Sequence, residues 1–325
     1  MRKSSKFEEA YDALTRLESR PIDLDAAVEI KRAINDKASL LVAKAASIVG
    51  RRGMQELIPD LIEAFDRFMA GGASSDKQCN AKAAIANALE KLEFMGDSVF
   101  LKGAKYVQME PVFGGHADTA VDLRCSCAYG LMRIGHPDTF YILTDLLVDP
   151  ERPVRIAAVK AMGCLGTTES ELLLRLKVLT GDTEPDVISE CFMTLMTMAP
   201  NRSLDFVARY LRSDDANLME CAALAIGGSH IPQAFDTLKE CWEDDLSPAM
   251  HRMLLLPIAL IRSDDAFEFL LDIVGSADIR TATQAVSTLN LYADNESVRK
   301  IREAVIARGN PDITERFDQE FNRFA

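Results

Sequence analysis

An apolar stripe returns along this chain about every thirty residues, and that recurrence leaves few folds open. In the segment Val154-Arg155-Ile156-Ala157-Ala158-Val159-Lys160-Ala161-Met162-Gly163, apolar or small side chains fall at the first, fourth, fifth, eighth and ninth places. That spacing is one face of an α-helix. Related segments start at Leu41, Ala81, Leu123, Val187, Leu218, Met250 and Ile279. Successive starts lie 40, 42, 31, 33, 31, 32 and 29 residues apart. Such a helix cannot bury its stripe alone, so neighbouring copies must stack on one another.

Further apolar-periodic segments lie between the copies, at 139–147, 172–179, 204–211, 234–242 and 266–274. Stop signals separate them from the stripe helices, among them Gly135-His136-Pro137-Asp138, Asp149-Pro150 and Gly181-Asp182 through Pro185. Each unit therefore reads as helix, turn, helix, turn. The expected fold is all-α: an α-α superhelix of about eight helix pairs, running as one array over residues 24–305 of a single domain, 1–325. Residues 1–22 and 306–325 are expected to be terminal caps. Composition agrees, since 48% of residues are hydrophobic and only 7% aromatic, a mixture suited to close helix packing.

The string 154–163, preceded by Asp149-Pro150, resembles the second helix of a bacterial HEAT repeat, an armadillo-like solenoid unit. The resemblance spans about residues 24–305 and is greatest over 118–230. In style the repeats are similar to the HEAT-like repeats of phycobilin lyases. The resemblance implies a fold and little about function, because HEAT arrays serve as scaffolds, chaperones and enzymes alike. It also implies that the basic residue after the first stripe position (Lys82, Arg124, Arg155, Arg280) forms a ladder to turn carboxylates between repeats.

The formal charge is −13, and it is unevenly placed. Residues 1–110 carry 17 basic and 17 acidic side chains, whereas residues 111–325 carry 20 and 33. A phosphate-tracking surface needs the opposite sign, so general nucleic-acid binding is not expected. The longest apolar run, 253–261, is far too short for a membrane span and contains Pro257. The start, Met1 to Lys6, is basic but leads into no apolar signal core. Seven cysteines at scattered helical positions read as free buried thiols, which suits the reducing cytoplasm.

No catalytic motif stands out. Four histidines (116, 136, 230, 251) are few, and none precedes a Glu, so the His-Glu iron motif of the HEAT-repeat hydroxylase is missing. Cys125 and Cys127 are two apart, hence on different helix faces, and make no metal pair. No metal or cofactor is expected. The residues favour a non-catalytic interaction module, a scaffold or assembly factor. The alternative is a HEAT-like enzyme of lyase or DNA-glycosylase type whose site these residues do not reveal.

Two regions are candidates for that function. The first is the side of the stripe helices opposite the stripe, at places three, six, seven and ten, which should line the concave surface. It holds Tyr129, Met132, Phe192, Met193, Met196, Leu224 and Leu255, and it reads as an apolar, sulfur-rich face. Such a face would take a protein or peptide partner, an amphipathic helix with basic flanks in particular, given the acidic turns 213–215, 243–245 and 263–265. Burial inside the molecule and a homodimer through the same face are the other two readings. The second region is 107–120, a long segment in an otherwise economical array, in which Phe113 beside two glycines is either a latch on the stack or an anchor for a partner. Asp118 reads as a helix cap. The shorter insertion, 71–77, reads as a flexible turn.

Overall fold

The computed structural model describes residues 2–21, 23–244 and 247–322, and of residues 2–5 the backbone alone. The chain is all-α apart from one short hairpin. Helix α1 (Arg2–Leu17) precedes three pairs: α2 (Leu24–Ile34) with α3 (Ser39–Arg52), α4 (Ile58–Ser75) with α5 (Asn80–Lys91), and α6 (Ser98–Ala104) with α7 (Val121–Ile134). Next come α8 (Thr139–Leu146) with α9 (Arg152–Leu165), α10 (Thr168–Thr180) with α11 (Pro185–Met198), and α12 (Pro200–Ala208) with α13 (Ala216–Gly227). The last three pairs are α14 (Gln233–Glu243) with α15 (Pro248–Leu260), α16 (Asp264–Ser276) with α17 (Ile279–Thr288), and α18 (Asn295–Arg308) with α19 (Pro311–Phe321). The repeating helix pair makes this a HEAT-like repeat fold.

The chain divides into two compact units, residues 1–165 and 166–325, and the division falls between two pairs. In the first unit α1, α3, α5, α7 and α9 pack in succession; in the second, α11, α13, α15, α17 and α19 do the same. All eight stripe segments are therefore second helices, and within each unit they stack on one another. Within residues 306–325, expected as a cap, the end of α18 is followed by α19, which packs on α18 and α17. The outer side of α19 is polar, with Asp312, Glu315 and Asp318 exposed.

The turn before each second helix holds an acceptor that binds a backbone N–H of that helix's first turn or of the residue just before it. Asp36, Asp76, Asp118, Asp149, Asp182, Asp215, Ser247, Asp278 and Asn310 accept from the N–H groups of Ala38, Ala81, Ala120, Glu151, Glu184, Asn217, Met250, Arg280 and Asp312. Their spacing, 40, 42, 31, 33, 33, 32, 31 and 32, follows the stripe period. Each satisfies donors that a helix start leaves without partners and favours the positive end of the dipole. Pro185, Pro200, Pro248 and Pro311 occupy first-turn positions where a missing N–H costs nothing.

Two close approaches set the stacking distance. A Cβ on Gly50 of α3 would lie 2.9 Å from the Ala88 Cα of α5, and one on Gly227 of α13 would lie 2.1 Å from the Pro257 carbonyl oxygen of α15. Pro257, which breaks the longest apolar run in the sequence, sits buried inside α15 and ends no helix. The segment 71–77 departs from the flexible turn expected of it. Helix α4 runs on to Ser75 through a break at Gly72 (φ 55°, ψ −150°), and Asp76 is fully buried.

Candidate functional site

Stacking covers each second helix on more sides than an isolated wheel suggests. Its stripe meets the first helices, and the neighbouring second helices of the same unit cover its flanks. Place six is consequently buried in every copy from Ala46 to Leu255: Ala46, Ala86, Ala128, Val159, Phe192, Ala223 and Leu255. What stays open is a narrow line at places three and seven.

The expected partner face narrows accordingly. Phe192, Met196 and Leu255 lie in the core, with Phe192 0% exposed and its ring 4.9 Å from that of Tyr210, so these three cannot meet a partner. Met193 is 51% exposed, Leu224 half-buried, and Tyr129 and Met132 half-buried on α7. Leu256, at place seven of α15, is exposed. In the second unit place seven of α11, α13 and α15 thus forms an apolar row, Met193–Leu224–Leu256. Ser189, Glu220 and Arg252 follow at place three.

In the first unit the same line has another character. Place three holds Ala43, Ala83 and Cys125, and place seven holds Ser47, Asn87 and Tyr129. They line a groove of about 490 Å³ across α3, α5 and α7, to which Asn80, Ser126 and Asp122 also contribute.

The segment 107–120 folds as an antiparallel hairpin, β1 (Met109–Val112) with β2 (Gly115–Asp118), turning at Phe113-Gly114. Phe113 is fully exposed at the tip, with Val112 and Met109 exposed beside it. The latch reading is therefore overturned, because a latch would bury the ring. An isolated two-stranded hairpin is marginal in water, so the base must hold it. Glu110 Oε1 accepts hydrogen bonds from the Gln78 N–H (2.6 Å), Gln108 Nε2 (2.6 Å) and Thr119 Oγ1 (2.9 Å). The Gln108 bond above all, then those of Thr119 and Gln78, hold its carboxyl below the ordinary glutamate range. Gln108 Nε2 also donates to the Asp76 carbonyl (2.8 Å).

Expected as a helix cap, Asp118 instead braces the residues just before α7, whose N-cap is Ala120. Its Oδ1 accepts from the N–H groups of Ala120 and Gln108, and its Oδ2 pairs with Arg124 Nη1 at 2.6 Å. Burial alone would raise its pKa, but those N–H groups and Arg124 outweigh it, and the net shift is downward. Arg124 also reaches Asp149 and the Tyr106 carbonyl. Buried Lys82 lies 3.1 Å from Asp76 Oδ2 and over the Tyr106 ring, 5.2 Å from its centroid. Arg155 Nη1 donates to the Asp149 and Pro150 carbonyls. The ladder between repeats implied by the family resemblance thus holds for Arg124, whereas Lys82 pairs with the turn of its own helix pair. Arg155 reaches turn carbonyls in these bonds, and Arg280 is exposed.

Two features escaped the sequence reading. Asp76 and Gln108 form the buried floor under the hairpin, and no local pattern marks them. The other is α10, which buries Glu171 and exposes Leu172, Leu176 and Leu179 along one side. The signal was present there, since six of the eight residues 172–179 are apolar, more than one buried face needs. Among the described residues no group of three His, Cys, Asp or Glu side chains could hold a metal ion, and no helix is long and apolar enough to cross a membrane.

No family model matches the chain, and no curated protein matches it either. Solved structures similar to it include the complex of CpcE and CpcF of phycocyanin lyase from Nostoc sp. PCC7120, at 15% identity over 72% of this chain and 91% of that one, with a TM-score of 0.36. An engineered protein is similar at 15% identity over 98% and 94%, TM-score 0.39. Human deoxyhypusine hydroxylase in complex with glycerol is similar at 15% identity over 80% and 98%, TM-score 0.31. Likeness of this extent carries no argument about activity or partners.

Proposed function

We propose that the chain is a non-catalytic interaction module, a scaffold or assembly factor, that receives an amphipathic helix of a partner protein across the second helices of residues 166–325. The row Met193–Leu224–Leu256 carries this reading. Packed helices lie about 8–10 Å apart, so the row offers an apolar contact at that interval. A helix crossing it presents residues i and i+7 about 10.5 Å apart, a near match to that pitch. The exposed carboxylate of Glu220 and the acidity of residues 111–325 favour a partner with basic flanks and disfavour nucleic acid. Seven cysteines without a disulfide support placement in the cytoplasm. One continuous array over residues 24–305 is part of the same proposal. So is the homodimer, as the competing occupant of the row.

The test is affinity capture from the native host with wild type and Met193→Asp/Leu224→Asp, alongside circular dichroism and light scattering. A partner held by the wild type and lost from a variant of unchanged helicity supports the reading. Equal capture by both sinks it, and a wild-type dimer that the variant dissociates hands the row to a second copy.

A further inference from the structure

The hairpin is a two-stranded sheet, and such a sheet has two outer edges. Its turn, Phe113-Gly114, closes on Val112 and Gly115, and in an antiparallel ladder bonded and non-bonded pairs alternate. Glu110 with Ala117 is then the second bonded pair. Met109 and Pro111 on β1, and His116 and Asp118 on β2, turn their main-chain groups away from the sheet. The two edges differ. Pro111 has no N–H to offer, which blunts the edge of β1. The β2 edge keeps both N–H and C=O at His116 and Asp118. Among the described residues no backbone hydrogen bond outside the sheet engages 115–118. Gly115 and His116 are exposed, and Ala117 and Asp118 are half-buried. An edge of this kind is a template for another strand.

We propose that the β2 edge pairs with the β2 strand of a second copy, antiparallel about a two-fold axis through Ala117. That register uses every outward group of the strand. The His116 N–H donates to the Asp118 carbonyl of the other copy, the Asp118 N–H donates to its His116 carbonyl, and symmetry repeats both bonds. Moving the axis to His116 would set Asp118 against the turn residue Gly114 instead. Ala117 faces itself in a non-bonded pair, where Cα atoms lie about 4.5 Å apart and a methyl group fits. Two marginal hairpins thereby become one four-stranded sheet. Each β1 is then an outer strand, and Pro111 stops further addition, so the assembly closes at two copies. The same register sets Gly115 opposite Thr119 of the other copy. It carries the exposed Phe113 ring past that residue, toward the start of the other copy's α7. The contact is small beside the roughly 800 Å² per partner of a standard interface, so the dimer is reversible and forms at high concentration. It is independent of the row Met193–Leu224–Leu256 and of any dimer through that row.

The experiment is sedimentation velocity of the full chain up to about 0.3 mM, a range that reaches weak self-association. The expected result is a monomer–dimer equilibrium. His116→Pro removes the outward N–H and leaves the bonds inside the hairpin untouched, so it should weaken the dimer about tenfold or more. His116→Ala keeps that N–H and should dimerise as wild type does. Met193→Asp/Leu224→Asp should dimerise unchanged as well. A second readout does not depend on these variants. In a Cys164→Ser background, Ala117→Cys should form a disulfide-linked dimer with oxidised glutathione, because the two positions face each other across the axis. The proposal is overturned by a single monomeric species over the whole range, or by Ala117→Cys that stays uncrosslinked. It is equally overturned if His116→Pro dimerises undiminished, if His116→Ala loses the dimer, or if the dimer is lost from Met193→Asp/Leu224→Asp instead.

Discussion

Arg124 and Asp149 face each other across a repeat boundary, with Nε 2.9 Å from Oδ2 and Nη2 3.1 Å from Oδ1. This is the paired geometry that makes a guanidinium irreplaceable by an ammonium. The same arginine meets Asp118 on its other side, and its side chain is only 2% exposed. Removing it strands two carboxylates, both nearly buried. Arg124→Met should therefore cost about 3–5 kcal/mol of stability, and Arg124→Lys should recover only part of that. Urea denaturation followed by circular dichroism gives the answer. A midpoint unchanged in Arg124→Met would mean that the ladder is ornamental.

Phe192 and Met193 are neighbours in sequence with opposite fates. Phe192→Ala should lose about 3–5 kcal/mol, because the ring is fully buried beside Tyr210. Met193→Asp should stay within about 0.5 kcal/mol of wild type. Thermal melts of the two variants separate core from surface, and comparable losses in both would show Met193 to be core.

Acid should loosen the hairpin before the helices. Glu110 and Asp118 have folded pKa values depressed below 4.5 and 3.8. Their contribution is whole above those unfolded values and disappears as pH falls through the lower, folded ones. Amide exchange at Gln78 and Gln108, corrected for intrinsic rate, should accelerate below about pH 4 while the interior of α13 stays protected. Exchange at those two amides that is flat down to pH 2.5 would contradict the role given to the two carboxylates.

Thiol chemistry should be fastest at one position. Burial pushes Cys79 and Cys191 up to about 12 and Cys125 to about 11, and it raises Cys127, Cys221 and Cys241 as well. Cys164 is exposed at the end of α9, which corrects the expectation that all seven are buried. At neutral pH a disulfide reagent should label Cys164 quickly, half-buried Cys125 and Cys221 more slowly, and Cys79, Cys127, Cys191 and Cys241 only on unfolding. Mass mapping of the labelled peptide decides this, and rapid labelling of Cys79 or Cys127 would mean that the core opens.

The helix pairs were legible because a 3.6-residue period is a local signal that stacking only reinforces. Eight stripe starts were read, and all eight are second helices. The candidate face was half legible. Places three and seven are open as read, but place six is closed by the flanking second helices, a fact of neighbours that no single-helix wheel contains. The hairpin was hidden for the opposite reason. Its four-residue strands are too short to display a period, and only the turn at Phe113-Gly114 hinted at them. Asp76 was passed over inside a Gly-Ser stretch, although its distance from Asp36 and Asp118 places it in the same series of turn acceptors.

The hairpin is clamped at its root and unencumbered at its tip, so whatever is spliced between Phe113 and Gly114 would be carried on a stiff stalk away from the helices. Residues 109–118 are thus a natural graft point, where a fluorescent domain or an epitope could be added with the repeat lattice left intact.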